Sequence, residues 1–369
     1  MNLFRHGRLA GVALVGTLAL AACGSDNNAT ASSSGTATAG GAIACKPGSL
    51  KASGSSAQGN AMTTWVNSYQ QACSAATIDY TPSGSGAGIT DFENNQTAFA
   101  GSDSALKAAD ATKAAARCGA GNTAIDLPMV VGPIAVAYNL PGQAGLVFTP
   151  DVLAKIFSGK ISKWNDPAIA ALNSGATLPA ASIVTFHRND SSGTTDNFTK
   201  YLTAAAPGSW TYGHDKTWKA PGGQGAKGSD GVAAALKQSP NTLGYVEYSF
   251  TQQGGLQVAK IDNGGGPVQL TPDNAGKAVA AAKVTGTGND LTLSLDYTTK
   301  TAGAYPIVLV TYEITCEKGL PANELDLTKS FLTYASSSAG QAKLNAASGY
   351  APLPAVLLTK VQAAVAAIS

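Results

Sequence analysis

The chain has 369 residues, only 12% of them charged, with 42 glycines and a formal net charge of +2. That near-neutral balance, with no basic stripe, argues against nucleic acid as a partner, and any anion selectivity has to come from a local site rather than a global field. A chain of this size buries a substantial interior and usually divides into lobes or domains.

Residues 1–8 carry Arg5 and Arg8 ahead of an apolar run of 14 residues, 9–22. The run is too short to span a bilayer comfortably but suits the core of a signal peptide. Leu20-Ala21-Ala22-Cys23 looks like a bacterial lipobox, which predicts a signal peptide over 1–22 and lipidation of Cys23 as the mature N-terminus. The plainer alternative is a secretory signal with a cysteine beside its cleavage site. Loss of the signal removes Arg5 and Arg8 and takes the formal charge to 0. The following residues are almost wholly Gly, Ala, Ser, Thr and Asn, so 23–44 reads as a tether of roughly 25 Å as a random coil. Such a chain is expected in the cell envelope, lipid-anchored on the outer face of the cytoplasmic membrane.

Helical spacing of Met62, Trp65, Val66 and Tyr69 predicts a helix over 60–73, and Thr77 to Tyr80 reads as a short strand. The glycine-rich turn Pro82-Ser83-Gly84-Ser85-Gly86-Ala87-Gly88 follows, then a short helix over 89–95. Glycines there let backbone N–H groups turn toward a ligand. No Gly-Lys-Ser/Thr follows them, which excludes a nucleotide loop. Phe99-Ala100-Gly101-Ser102-Asp103 places a carboxylate at the end of an apolar run. Asp103 can also be read as the cap of an alanine-rich helix over 104–117.

Val/Ile-rich stretches over 125–138 and 305–312 read as extended crossings between lobes. Between them, helices are predicted over 151–157, 166–172, 195–202, 230–237 and 273–282, a strand over 243–247 and a hairpin over 285–297. Helices over 323–334, 340–346 and 354–367 close the chain. Alternating elements with Gly-rich turns argue an α/β class, whose ligand crevice lies at strand ends.

The most informative segment is Arg188-Asn189-Asp190-Ser191-Ser192-Gly193-Thr194-Thr195. Small hydroxyl residues ahead of Phe198, Tyr201 and Leu202 mark a helix N-terminus, where free N–H groups and the positive dipole end accept an anion. Arg188 adds a planar, always-charged fork suited to a tetrahedral oxyanion, and Asp190 is placed to hold that fork still.

Taken together, Ala52-Ser53-Gly54-Ser55-Ser56, Gly84-Ser85-Gly86-Ala87-Gly88-Ile89, Gly101-Ser102-Asp103-Ser104, Tyr138-Asn139-Leu140-Pro141-Gly142, Phe157-Ser158-Gly159-Lys160-Ile161 with Trp164-Asn165-Asp166-Pro167, and the Arg188 segment fall in one order and spacing. In these pieces the chain resembles the phosphate-binding protein of bacterial phosphate ABC importers, from about Lys51 to the C-terminus. The resemblance implies a two-lobed type II periplasmic-binding-protein fold, each lobe a mixed β-sheet flanked by helices, with the ligand in the interlobe cleft. Lobe I would comprise 45–130 and 306–369, and lobe II 131–305.

The resemblance also implies the ligand contacts: Ser56 with the Ala57 N–H, Ser85 and Asp103 from one lobe, and Arg188, Ser192, Gly193 N–H and Thr194 from the other, with Asp190 paired to Arg188. Inorganic phosphate is the implied ligand, membrane permease subunits the implied partner, and a monomer the implied state. The family often has Thr-Phe where this chain has Ser56-Ala57, so an apolar wall is lost, and Gln58 follows it. Asp103 can only accept, so it would test for the proton that phosphate keeps near neutral pH and sulfate lacks. A receptor for another oxyanion (phosphonate, sulfate or molybdate) is the nearest alternative, and a secreted phosphoester hydrolase a more distant one. No Gly-x-Ser-x-Gly elbow, no activated nucleophile and no cofactor motif is present, so an enzyme is not expected.

Cys45, Cys73, Cys118 and Cys316 remain after Cys23, and four cysteines allow three pairings. Under the implied topology all four share a lobe; the preferred expectation is Cys73 with Cys118 and Cys45 with Cys316. Without a Cys-x-x-Cys pair, and with His6, His187 and His214 the only histidines, no metal site is expected. His187 reads as a structural strand-end residue.

Overall fold

The computed structural model describes residues 43–252, 254–344 and 348–369. The expected signal peptide, Cys23 and nearly all of the tether lie outside the described residues, as does the end of the helix expected over 340–346. The described residues belong to one compact unit.

The first part runs β1 (Gly48–Gly54), α1 (Gly59–Ala72), β2 (Ala76–Thr81), α2 (Ser85–Glu93), β3 (Phe99–Ser102), α3 (Ala108–Cys118) and β4 (Ala124–Asn139). Next come β5 (Val147–Phe148), α4 (Pro150–Phe157), α5 (Pro167–Leu172), β6 (Val184–Arg188), α6 (Gly193–Ala205), β7 (Gln224–Ala226), α7 (Gly228–Gln238) and β8 (Thr242–Glu247). After a 3-10 turn, Tyr248–Thr251, follow β9 (Gln257–Val258), β10 (Lys260–Asp262), β11 (Pro267–Val268), α8 (Pro272–Ala280), β12 (Lys283–Val284) and β13 (Leu293–Ser294). The chain ends with β14 (Val308–Cys316), α9 (Ala322–Ala335), α10 (Ser338–Ala342) and α11 (Ala355–Ala367).

One long sheet has the order β2-β1-β3-β14-β4-β8-β6-β7, with β9 pairing β4 off that path. β4 joins its two halves. Its residues up to Pro133 pair antiparallel with β14, and from Ile134 onward they pair with β8. Proline donates no ladder hydrogen bond and collects at bulges and strand ends. Pro128 sits where the β4–β14 register slips, between Thr311 and Tyr312, and Pro133 sits where β4 changes partner. The strand is buried along its length except at its two ends, which its continuous Val, Ile, Ala and Met content allows.

The expected elements are present, with shifts that have local causes. The second crossing starts at Val308, not Tyr305, because Tyr305 turns inward and donates its hydroxyl to the Ile134 carbonyl at 2.8 Å. α3 starts at Ala108 rather than residue 104, so Asp103 does not cap it; Asp103 is taken up elsewhere. The hairpin expected over 285–297 is the β12–β13 pair, shifted to Lys283–Val284 opposite Leu293–Ser294.

The expected cysteine pairing is corrected. The bridges are Cys45–Cys73 and Cys118–Cys316, with Cα separations of 5.3 and 5.4 Å. Parallel pairing of β1 with β2, Gly48 opposite Ala76, brings the residues preceding both strands together. Antiparallel pairing of β14 with β4, Cys316 opposite Ala124, brings the end of β14 to the end of α3. Replacing Cys118 and Cys316 together with serine is expected to lower the melting temperature by about 3–7 °C, as loss of a native bridge costs about 2–5 kcal/mol. Calorimetric unfolding of the variant checks this, and an unchanged midpoint refutes it.

Candidate functional site

The parallel strands β1, β2 and β3 of one half and β6 and β7 of the other all end at the same crevice. Four helices, α1, α2, α6 and α7, start from the turns there, so their free N–H groups gather at one place. Crevices at the carboxyl ends of strands are where open α/β sheets bind ligands.

Gly84 makes the first turn possible. Its φ of 101° suits glycine, and a Cβ there would lie 2.5 Å from Asp190 Oδ2 of the opposite half. α2 therefore starts at Ser85, four residues earlier than expected. The Ser85 hydroxyl accepts from Asp103 N and from Gly193 N, both at 3.1 Å. It thus bridges the two halves.

Asp103, 3% exposed, is the centre of the site. Its Oδ1 accepts from Ser55 Oγ and, at 2.8 Å, from Thr311 Oγ1. Its Oδ2 has only longer hydroxyl contacts, Thr194 Oγ1 at 3.3 Å and Ser85 Oγ at 3.5 Å. One oxygen is satisfied, and the other retains acceptor capacity toward the crevice. Burial raises the Asp103 carboxyl above its usual range, against the downward pull of Ser55, Thr311, Arg188 and Thr194.

Arg188, 2% exposed, ends β6. Asp190 grips its guanidinium in a two-point fork, Nε to Oδ1 at 2.6 Å and Nη2 to Oδ2. Gly228 N, the start of α7, also donates to Asp190 Oδ1 at 3.2 Å. Although burial opposes it, these partners hold the Asp190 carboxyl below its usual range. Tyr245 OH accepts from Arg188 N at 3.2 Å, and His187 stacks on Trp218 at 4.9 Å, the structural place expected for it.

Ser192 is the cap of α6: its hydroxyl accepts from Thr195 N at 3.2 Å. Gly193 allows the two halves to touch, since a Cβ there would lie 2.6 Å from both Asp103 Cβ and Ser85 Oγ. Gly193→Ala is expected to weaken anion binding at least about tenfold, because overpacking costs typically 1–3 kcal/mol. The melting temperature without ligand should stay within a few degrees, since alanine suits a helix. Titration calorimetry and thermal unfolding read the two effects; unchanged affinity counts against the close approach of the halves.

The structure thus brings Ser85, Asp103, Arg188, Asp190, Ser192, Gly193 and Thr194 together. In the first turn Ser55 holds Asp103 and also accepts from Ala57 N at 3.1 Å. The Ser56 hydroxyl crosses to the other half, 3.1 Å from Ser229 Oγ and accepting from Ser229 N at 3.0 Å. Ser55, Thr311, Ser229 and Gly228 were not picked out from sequence. The run Lys227-Gly228-Ser229-Asp230 carries the same small-residue helix start as Ser192-Gly193, a signal that was readable; Thr311 is mid-strand and had none. Among the described residues no cluster of His, Cys, Asp and Glu could hold a metal ion, and no helix is long and apolar enough to cross a membrane.

A carboxylate, a clamped guanidinium, several hydroxyls and helix N-termini around one crevice define an oxyanion receptor of the two-lobed kind. The model of a PBP superfamily domain matches residues 27–339. Phosphate-binding protein PstS 3 of Mycobacterium tuberculosis is 46% identical over 374 residues, covering all of both chains. PstS of Pasteurella multocida is 32% identical, covering 81% of this chain and 84% of its own. The chain therefore belongs to the PstS family of phosphate-binding proteins within the PBP superfamily. A periplasmic phosphate-binding protein, PfluDING, solved with bound phosphate, shares the fold with a TM-score of 0.68 at 21% identity, covering 85% of this chain and 93% of its own.

Proposed function

We propose that this protein captures inorganic phosphate outside the cytoplasmic membrane and delivers it to the permease of an ABC importer. The observation that carries the reading is the meeting of Asp103 and the Asp190-clamped Arg188 at one crevice, although 85 residues of chain separate them. It is a binding protein, not an enzyme, as its family members are named for binding.

The ligand contacts are Ser56, the Ala57 N–H, Ser85, Asp103, Arg188, Ser192, the Gly193 N–H and Thr194, with Asp190 fixing Arg188. Arg188, the hydroxyls and the N–H groups donate to phosphate oxygens, while Asp103 Oδ2 accepts the ligand's own proton. The lobes divide at about residues 131 and 305, a reading supported by the exchange of β4 partners at Pro133. Closing them excludes water and strengthens each bond. Lipidation of Cys23 and the tether over 23–44 keep a monomeric receptor on the outer face of that membrane, within reach of its permease. Titration calorimetry against phosphate, sulfate and a phosphonate tests the reading: tight binding of phosphate alone is expected, and preference for another anion, or no heat with any, overturns it.

A further inference from the structure

Behind the first binding turn lies a buried polar cluster that phosphate recognition, as described, does not use. Gln58 is fully buried and sends Nε2 to Tyr80 OH at 2.9 Å. Tyr80 OH in turn donates to the Ser55 carbonyl at 2.8 Å, so it props the residue whose hydroxyl holds Asp103. Gly101 opens the way, since a Cβ there would lie 2.0 Å from Gln58 Nε2. Opposite Gly101 in the ladder stands Glu313, fully buried in the middle of β14.

Glu313 lies against Gln58. Among the described residues neither oxygen of Glu313 nor Gln58 Oε1 has a hydrogen-bond partner. Unpartnered acceptors are costly in a dry interior, an ionised carboxylate above all. A proton on Glu313 relieves this: a neutral carboxyl competes less for Gln58 Nε2, the donor that would favour the ionised form, and leaves it to Tyr80.

We propose that Glu313 is a positioning residue, held as a neutral carboxylic acid that fixes Gln58 and with it the Ser55–Ser56–Ala57 turn, and that its ionisation weakens phosphate capture. The proposal rests on the phosphate reading of the site. Burial pushes the Glu313 carboxyl up to about 8, with Gln58 opposing and the Asp103 charge adding to the rise. The titratable groups facing it are Tyr80 from β2 and Asp103 from the end of β3. Asp103 acts in turn on Glu247 from β8 and on Tyr350, and β4 offers only Leu127 in the ladder. Among these groups there is no cation to stabilise an ionised Glu313; Arg188 acts on Asp103. Ionised Glu313 would draw Nε2 away from Tyr80 and add a negative charge near Asp103 and the bound anion. Both effects loosen binding.

The test is titration calorimetry with inorganic phosphate from pH 7 to 9.5 on the parent, Glu313→Gln and Glu313→Leu. The ligand's own titration cancels in the ratio of variant to parent affinity. For Glu313→Gln the ratio is expected to stay near one at pH 7 and rise about tenfold by pH 9.5, the size a nearby partly screened charge produces. Glu313→Leu, which keeps the chain folded should glutamine fail, starts lower and shows the same rise. A ratio independent of pH in both overturns the proposal while leaving the phosphate reading intact; a parent that binds no phosphate overturns both. Melting temperature adds a check. Between the ordinary 4.5 and about 8 the unfolded chain releases a proton that the folded chain keeps, so the parent should lose stability relative to Glu313→Gln as pH rises through that window.

Discussion

Asp103→Asn is expected to bring sulfate binding up toward that of phosphate, narrowing the preference by about a hundredfold or more. Removing one member of a buried charged contact costs typically 2–5 kcal/mol. In the parent, Oδ1 is already satisfied by Ser55 and Thr311, and Oδ2 can serve the ligand only as an acceptor. Sulfate offers that oxygen no proton and an added like charge. An asparagine amide can donate there, so the penalty disappears. The parent carries an internal control. Because burial raises the Asp103 carboxyl, acidification protonates it above the usual carboxylate range, and the preference over sulfate should shrink as pH falls through that point. The ratio in Asp103→Asn should stay flat over the same range. Competition calorimetry at several pH values reads both, and equal ratios in parent and variant would sink the proton-testing role.

Arg188→Ala should abolish measurable phosphate binding, a loss of at least about a hundredfold, and should also destabilise the protein. Its fork supplies the permanent positive charge at the site, and its removal leaves Asp190 ionised, largely shielded from solvent and facing the bound anion. Breaking a buried pair from one side costs about 3–5 kcal/mol. Arg188→Lys keeps the charge but not the two-point grip on Asp190, so it should recover the melting temperature more than the affinity. Asp190→Asn separates the roles: Arg188 stays charged but is held less firmly, and an intermediate loss is expected. Phosphate affinity in Arg188→Ala within tenfold of the parent would remove Arg188 from the site.

Much of this site was legible because its signals are local. A helix start is written in a few consecutive residues, so the Ser192-Gly193-Thr194 cap of α6 and the glycine-rich turn leading into α2 could be read directly, though not that α2 begins inside that turn at Ser85. The Arg188–Asp190 clamp spans two positions and was equally readable. What needed three dimensions was phase and adjacency. Ser55 and Ser56 are neighbours of the same type, and only the path of the chain leaving β1 decides that Ser55 faces Asp103 while Ser56 faces Ser229. Asp103 looked like a cap for the helix after it, yet that helix starts at Ala108 and the carboxylate turns into the crevice.

By itself the sequence determined the α/β class, the order of the elements and the three turns proposed to hold the anion, because periodicity, glycine placement and helix caps act over a few residues. Only the tertiary structure decided the cysteine pairs, since strand pairing sets which chain ends lie side by side. Only the tertiary structure revealed Thr311 and Glu313 as well, since a polar residue within a buried strand takes its meaning from what the neighbouring strands and helices bring against it.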